Sequence, residues 1–564
     1  MNRAFPALLF PNLLLSALAL ASATTAQTWV QSIDPEPLTP AKPLRVFVFA
    51  GQSNMVGSDS HVEDVQFFPP FRGLEEPQPK ARFLYCIGRE DKRQSEGFVP
   101  LQPVNGVIGP ELSFAREVMA TLDEPIAIVK IAAGGTTIGR DWNPEDPGGF
   151  ELYPLALETV RDALATLKQQ RVPYRLEAFF WHQGENDMFD DGFRDAYGQN
   201  LANFLASWRR DLEAPELPFF IGELCTKTIW GMDNRMRMYG IREGQIEVTE
   251  QDERATYVPT SHVGVEISRN TGLHYHYGTL GQLEHGVEYA RAYLRSIDAL
   301  ETEVRSLRRW PYDDGEAIDL YVLAGHRNME GERAFVDEVR ATRGGRKLAR
   351  DDPKIAFRYA LGGGARVSTG FEPLGPTGAF GTFGPELSFA RTLWDDGERN
   401  FAIAKFTHSG SQAIDWTPEG SEAVDRNLHG EFLTFVRESV EELESRGHAV
   451  RLARVIYHIG ENDTAYGPYR RRIGERLDAL VAGLRTGLER PDLTVLVSHG
   501  PAAEFPGVVD FDVATELRKI AADDRHLDYL PFVEFPEQRR ALVLDTHAIV
   551  LLGQQFARAV KNDR

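Results

Sequence analysis

The segment VFVFAGQSNMVG, residues 46–57, places Ser53 where an apolar run changes into a turn. The run predicts a buried strand, and a serine at the following turn would lift its hydroxyl out of the sheet. Neighbouring backbone N–H groups and the positive end of the next helix could then stabilise an oxyanion. The hydroxyl could equally cap that helix. A catalytic role also needs a general base, because a serine hydroxyl alone is a poor nucleophile.

Two histidines are candidates for this base. His274 and His276 stand just before the last helical stretch of the first half of the chain. Only one of them can take the proton of Ser53, and the residue types alone leave both open.

Groups that could hold an oxyanion follow two further apolar runs. Gly135, in the pair Gly134-Gly135, lets a substrate approach closely and offers an unblocked N–H. In the segment WHQGEND, Gln183 could donate its amide and Glu185 could orient a histidine. Each feature alone also fits an ordinary turn or loop. Together they supply a nucleophile, a base, an acid and oxyanion donors, a combination that predicts acyl transfer.

The elements that would position these residues alternate between strand and helix. The apolar, β-rich runs are 45–50, 125–132, 176–182, 218–224 and 255–260. Helical periodicity fills 111–121, 155–169, 192–211 and 279–297. This alternation predicts an α/β domain whose parallel sheet is covered by helices on both faces, with its site at the carboxyl ends of the strands.

The chain carries this pattern twice. GPELSFAR occurs at 109–116 and again, unchanged, at 384–391, and AGQSNMVG at 50–57 matches AGHRNMEG at 324–331. The matching segments stay 274 to 276 residues apart until the last pair, where the second copy is shorter. The sequence therefore predicts a tandem duplication. The expected divisions are a signal peptide at 1–26, a first domain at 38–300 and a second domain at 316–564.

The motifs GQSNMVG, AAGGTTI and WHQGEND, with a late histidine, resemble the SGNH-hydrolase superfamily. Within it they are similar to the group of sialate O-acetylesterases and family 6 carbohydrate esterases. The resemblance implies two tandem flavodoxin-like α/β/α domains with parallel sheets. It also implies release of acetate from acetylated sugars through an acetyl-enzyme, with no metal or other cofactor. The alternatives are an SGNH lipase or arylesterase and a non-enzymatic carbohydrate-binding protein.

The resemblance also implies roles for particular residues. Ser53 matches the nucleophile, and the oxyanion donors are the N–H groups of Ser53 and Gly135 and the side chain of Gln183. His276 is preferred as the base, because a Gly-Gln pair follows it at the spacing of the family pattern. The candidates for substrate binding are Gln52, Asn54, Trp142 and His274.

One position departs from the family pattern. An Asp often stands three residues before the histidine, where this chain has Leu273. Glu185 is therefore the candidate to orient His276, because a base without an orienting carboxylate has a less fixed tautomer.

The second copy has lost several of these groups. Ser53 is replaced by Arg327 and Gln183 by Ile459, and the histidine segment is shortened to LDTH, ending at His547. These changes predict a catalytically inactive domain. Such a domain could serve only to stabilise the first copy, or it could bind an acidic sugar or a sulfate.

Composition limits the partners and the compartment. The net charge of −21 argues against nucleic acid or an anionic membrane as a partner. Residues 1–26 have the layout of a secretory signal peptide, with an N-terminal membrane anchor as the alternative. We therefore expect a secreted or periplasmic protein that acts on carbohydrate and is not inserted in a membrane. The sequence does not show whether Cys86 and Cys225 pair, or whether the protein oligomerises.

Overall fold

The computed structural model describes most of the chain from residue 42 onward. The described residues are 42–224, 234–264, 267–268, 272–273, 276–300, 305–342, 345–464, 467–500, 511–532 and 543–562. The expected signal peptide, His274 and Cys225 lie outside them. Residues 34–564 belong to one compact unit, which contains both copies.

The first copy is built on one central sheet. Its described strands are β1 (Leu44–Gly51), β2 (Gln78–Ile87), β3 (Arg93–Gln94), β4 (Val99–Leu101), β5 (Ile126–Ala132), β6 (Tyr174–His182), β7 (Phe219–Gly222) and β8 (Ala255–Val258), and a separate pair is formed by β9 (Ile267–Ser268) and β10 (Gly272–Leu273). The sheet order is β3-β2-β5-β1-β6-β7-β8, with β4 also on β2. The neighbours from β2 to β8 are parallel, and β3 and β4 join β2 antiparallel.

Helices cover both faces of this sheet. They are α1 (Ser53–Val56), α2 (Glu111–Leu122), α3 (Leu152–Gln169), α4 (Asp191–Asp195), α5 (Tyr197–Asp211), α6 (Arg235–Gln251) and α7 (Gly278–Ser296). In β1, Phe47 and Phe49 face the core that includes residues of α2 and α7. Val46 and Val48 face the other core, which includes residues of α3 and α5. A strand buried on both faces explains the continuous apolar run that predicted it.

The second copy repeats the architecture. Its strands are β11 (Ala317–Gly325), β12 (Asp352–Leu361), β13 (Arg366–Val367), β14 (Glu372–Leu374), β15 (Phe401–Thr407), β16 (Ala449–Ile459), β17 (Val495–His499) and β18 (Leu527–Leu530). Its helices are α8 (Arg327–Glu330), α9 (Val336–Ala341), α10 (Gly345–Leu348), α11 (Glu386–Asp395), α12 (His429–Ser445), α13 (Glu461–Thr464), α14 (Gly467–Arg470), α15 (Ile473–Gly487), α16 (Val513–Asp523) and α17 (Thr546–Asn562). The sheet order, β13-β12-β15-β11-β16-β17-β18 with β14 on β12, is that of the first copy. The predicted α/β class with tandem parallel sheets is confirmed.

The two copies share buried surface. Phe335 and Phe380 of the second copy belong to a core cluster of the first, and the rings of Phe68 and Phe335 lie 6.1 Å apart between centroids. Cys86, in β2, is a buried free thiol. Among the described helices, none has the length and apolar character needed to span a bilayer.

Candidate active site

Ser53 lies on a tight turn at the carboxyl end of the central strand. It is the first residue of α1, and Gln52 occupies the cap position without a capping side-chain bond, so Ser53 is not the helix cap. A side chain at Gly51 would collide with the carbonyl of His182, which explains the glycine before the turn. A Cβ added at Gly134 would lie 3.5 Å from the Cβ of Ser53. The Gly134-Gly135 loop therefore lies against the serine, and its role as an oxyanion donor stays a prediction.

His276 has a carboxylate partner that the sequence analysis missed. Its Nδ1 lies 2.7 Å from Oδ2 of Asp59, a bond in which the ring N–H donates to the carboxylate. Asp59 has φ = 60°, a left-handed backbone conformation that is uncommon outside glycine and is often found at functional sites. With Nδ1 engaged in this way, Nε2 is the ring nitrogen suited to act as a base.

Two hydrogen bonds bring the histidine segment to the serine turn. The backbone N–H of Tyr277 donates to Oδ1 of Asn54 at 3.2 Å. Since Tyr277 follows His276 and Asn54 follows Ser53, this bond joins the immediate neighbours of the two residues. The N–H of His61 also donates to Oγ1 of Thr279, at 2.7 Å. The turn and the start of α7 are thus held together on both sides of the site.

Glu185 has other partners than the histidine it was expected to orient. Its Oε1 accepts a 2.5 Å bond from Nδ2 of Asn54 and lies 3.6 Å from Nδ1 of His182. In the structure the carboxylate that bonds His276 is that of Asp59. Glu185 fixes Asn54, and Asn54 in turn fixes the backbone beside His276.

Gln183 is buried, and its amide nitrogen is engaged within the protein. Nε2 lies 3.0 Å from Oε1 of Gln52 and 2.9 Å from the carbonyl of Thr136, and it also contacts the carboxyl of Asp187. As placed, this nitrogen donates to protein acceptors and is not directed at an incoming oxyanion. Its role as an oxyanion donor stays a prediction that requires the amide to change partners.

Asp187 bonds the backbone of the loop that follows Gly134-Gly135. Its two oxygens accept bonds from the N–H groups of Ile138 and Gly139, both at 3.1 Å. Burial raises the pKa of Asp187 to about 7, although bonds from Gln183 and the two N–H groups favour the charged form. The carboxyl thus links the loop after β5 to the loop after β6.

Three of the residues expected to bind substrate are buried. Trp142 is fully buried, its Nε1 donates to Oγ1 of Thr136 at 3.0 Å, and its ring packs edge-on against Trp181. It is a core residue. Gln52 and Asn54 are also fully buried, with partners in the WHQGEND loop. These two position the site and do not present a surface to a sugar.

Arg89 is an unpredicted cation at the edge of the site. A Cβ added at Gly135 would lie 3.2 Å from its Nη1, and its guanidinium carbon lies 5.0 Å from the ring centroid of Phe150. The side chain is 44% exposed. An accessible arginine beside the glycine loop is suited to bind a carboxylate or sulfate.

The equivalent positions in the second copy can be assigned from hydrogen bonds. The N–H of Leu544 donates to Oδ1 of Asn328 at 2.8 Å, as Tyr277 does to Asn54. The residue that takes the place of His276 is therefore Val543. His547, at the end of the shortened segment, therefore lies four residues beyond the position of His276.

The other two reacting positions are also changed there. Arg327 replaces Ser53, and its Nε lies 2.8 Å from Oε1 of Glu461 and 3.3 Å from Glu332. Arg333 stands at the position of Asp59, by the offset of 274 residues that relates the two turns. In the second copy the serine, histidine and aspartate are thus replaced by arginine, valine and arginine.

The chain thus has a duplicated parallel α/β fold, with Ser53 on the turn after the central strand of its first copy. The family model described as carbohydrate esterase, sialic acid-specific acetylesterase, matches residues 43–295 and again 317–562. The chain therefore belongs to this family and contains its domain twice.

Individual relatives match about one copy. A probable carbohydrate esterase of Arabidopsis thaliana is 29% identical over 201 residues, which are 33% of this chain and 70% of the relative. The crystal structure of a carbohydrate acetylesterase from Xanthomonas citri is 18% identical, with a TM-score of 0.33, over 48% of this chain and 61% of that one. The structure of NanS is 16% identical, with a TM-score of 0.37, over 48% of this chain and 100% of that one.

Proposed function

We propose that the first copy is a serine-dependent O-acetylesterase that releases acetate from acetylated carbohydrate. The observation that carries the proposal is the pairing of His276 with Asp59 beside the turn of Ser53. Family membership supports the reaction class. In the proposal Ser53 is the nucleophile, His276 the base and Asp59 the acid that orients it.

In the proposed mechanism, Nε2 of His276 takes the proton of Ser53 as Oγ attacks the acetyl carbonyl. Asp59 holds Nδ1–H and stabilises the imidazolium that forms. The N–H groups of Ser53 and Gly135 stabilise the tetrahedral oxyanion, and Gln183 joins them if its amide turns from its present partners. His276 then protonates the departing sugar oxygen, and water hydrolyses the acetyl-enzyme by the same route.

The second copy does not catalyse this reaction in our proposal. Removal of a serine nucleophile costs on the order of 10⁴- to 10⁶-fold in rate, and here the base and the acid are replaced as well. Its retention then has a structural or positioning reason.

The substrate would be an acidic sugar. Arg89 places a positive charge beside the glycine loop, where it could pair with the carboxylate of an O-acetylated sialic acid or uronic acid. A neutral acetylated xylan would lack this pairing. The site of action would be outside the cytoplasm, as the layout of residues 1–26 suggests.

Acetate release tests the proposal directly. The chain without residues 1–26 is incubated with O-acetylated sialic acid, acetylated pectin and acetylated xylan, beside Ser53→Ala. We expect release that the substitution abolishes, fastest with the acidic sugars, and labelling of the unchanged chain alone at Ser53 by a fluorophosphonate. Folded protein that releases no acetate and resists labelling would favour a carbohydrate-binding protein. Release that survives Ser53→Ala would exclude the serine mechanism.

A further inference from the structure

A buried ion pair joins the second copy to the loop after β7 in the first copy. Nη2 of Arg426, in the second copy, lies 2.5 Å from Oε1 of Glu223. Both side chains are buried. Burial alone would raise the pKa of Glu223, but Arg426 and Arg242 more than offset this and hold the pKa below its usual value. The pair is therefore ionic, and its geometry is fixed by a charge-assisted bond.

Glu223 also bonds the loop after β8, which precedes His276 in the chain. Its Oε2 accepts bonds from the N–H groups of Thr260, at 2.6 Å, and Ser261, at 3.0 Å. The second copy contacts the same loop independently, because Oγ of Ser409 donates to the carbonyl of Ser261 at 2.9 Å.

The network ends at the residue beside the proposed base. The hydroxyl of Tyr277 lies 2.7 Å from Oγ1 of Thr260 and 3.1 Å from the carbonyl oxygen of Glu223. The backbone N–H of Tyr277 donates to Asn54, next to Ser53. Both ends of Tyr277 are thus held, one by the serine turn and the other by a loop that the second copy clamps.

We propose that Arg426 is a positioning residue for the reaction of the first copy, acting through Glu223 and Tyr277 on His276. This inference rests on the proposed function and deepens it, because it gives the non-catalytic copy a role in catalysis. The first copy would be incomplete without the second: Glu223 would keep Arg242 nearby, at 3.9 Å, but would lose Arg426, the arginine that bonds it directly.

Kinetics of Arg426 variants test this role. We expect Arg426→Met to lower kcat roughly 10- to 100-fold with little change in KM, because a misplaced base slows chemistry more than binding. Arg426→Lys should restore part of the loss. The matched control is Arg235→Met, since Arg235 also joins the copies, at 3.1 Å from Asp415, but through a different pair. Kinetics of Arg426→Met equal to those of Arg235→Met would overturn the proposal.

A second variant guards against general destabilisation. Removing one partner leaves the other as an unpaired buried charge, so the double variant Glu223→Gln/Arg426→Gln is made as well, because it removes both charges of the pair and leaves Arg242 bonded to Asp425. It should fold and still show the loss in kcat, and Glu223→Gln alone should lose no more than the double variant, since both break one contact. Wild-type kcat in the folded double variant would overturn the proposal.

Hydrogen exchange separates this inference from the proposed function. Peptides that contain Thr260 or Tyr277 should exchange faster in Arg426→Met than in Arg235→Met, whether or not the protein hydrolyses any ester. If the unchanged chain releases no acetate, the esterase proposal fails while faster exchange would still support the clamp. Equal exchange in the two variants would reject the clamp, even in an active esterase.

Discussion

Ser53 in the first copy and Arg327 in the second occupy the same turn on the same backbone. The glycine that ends each turn has a left-handed conformation, with φ = 97° at Gly57 and 86° at Gly331, and its N–H bonds the carbonyl of the serine or the arginine. A side chain at either glycine would collide with a backbone carbonyl just before the next long helix, that of Ile108 before α2 or that of Phe383 before α11. The backbone that presents Ser53 has thus been kept in the second copy, where an arginine stands in place of the serine.

Buried charges beneath the turn have also been kept. Lys130 pairs with Glu111 in the first copy, and Lys405 pairs with Glu386 in the second, both at 2.7 Å. Loss of either partner would leave an uncompensated buried charge, so these pairs change less easily than reacting groups do. The comparison shows that packing and buried charge preserve the scaffold, whereas nothing structural requires a serine at the turn.

The arginine that replaced the serine has acquired structural partners of its own. Arg327 is almost fully buried between Glu461 and Glu332. Glu461 corresponds to Glu185, which in the first copy holds Asn54. The same carboxylate therefore serves the site in one copy and neutralises an arginine in the other.

The largest expected effect, on rate in one copy and on stability in the other, comes from replacing the residue at this turn. Ser53→Ala should lower the rate by on the order of 10⁴- to 10⁶-fold and leave the free energy of unfolding nearly unchanged. Arg327→Ser should leave the rate unchanged and create no second active site, but it should lower the free energy of unfolding by about 3–5 kcal/mol, because the buried Glu332 and Glu461 both lose a cationic partner. Acetate release and denaturant unfolding measure the two effects. If both substitutions lowered the rate equally, the proposal that only the first copy is catalytic would be wrong.

A smaller effect should distinguish the two carboxylates near His276. Asp59→Asn should lower kcat by roughly 10²- to 10⁴-fold, because the imidazole would lose the partner that fixes its tautomer. Glu185→Gln should cost less, since an amide oxygen can still accept from Asn54. Arg333→Asn, at the matching position of the second copy, is the control and should leave kcat unchanged. A greater loss with Glu185→Gln than with Asp59→Asn would return the orienting role to Glu185.

The sequence predicted the sheet best where strands are buried on both faces. The observed β1, β5 and β6 lie within a few residues of their predicted bounds. β2, QPKARFLYCI, was missed because its residues alternate between buried and partly exposed and include two cations. α6, RMRMYGIREGQIEVTEQ, was missed because its buried face includes Arg242 and Gln245, which pair with other buried groups and so disguise the apolar stripe.

Site residues were predictable from the sequence only where they directly follow a predicted strand. Ser53 and the Gly134-Gly135 loop follow strands, and the sheet brings them together. Asp59 lies 217 residues from His276 in sequence, in a turn with no periodic signal, so no spacing rule connects them. Arg426 was still harder to predict from the sequence, because it contacts Glu223 of the first copy across the interface between the copies.

The smallest expected effect concerns two matching buried acids, Asp187 and Asp463. Burial raises the pKa of each to about 7, from an unfolded value near 3.8. Between about pH 4 and pH 7 the folded state therefore holds a proton that the unfolded chain releases, and the stability from each acid falls as the pH rises through this window. Above pH 7 that contribution is gone.

Substitution of either acid by asparagine should remove its contribution to the fall in stability with rising pH. We expect Asp187→Asn and Asp463→Asn each to make the fall in Tm from pH 4 to pH 7 smaller by about 2–4 °C, measured by calorimetry across that range. Only Asp187→Asn should also change kcat, because its carboxyl holds the N–H groups of Ile138 and Gly139, in the loop that carries the proposed oxyanion donor Gly135. Asp463 holds the corresponding N–H of Ala413 in the second copy, which has Arg327 in place of Ser53. A change in kcat with Asp463→Asn as large as with Asp187→Asn would mean that the two copies are coupled well beyond the Arg426 contact.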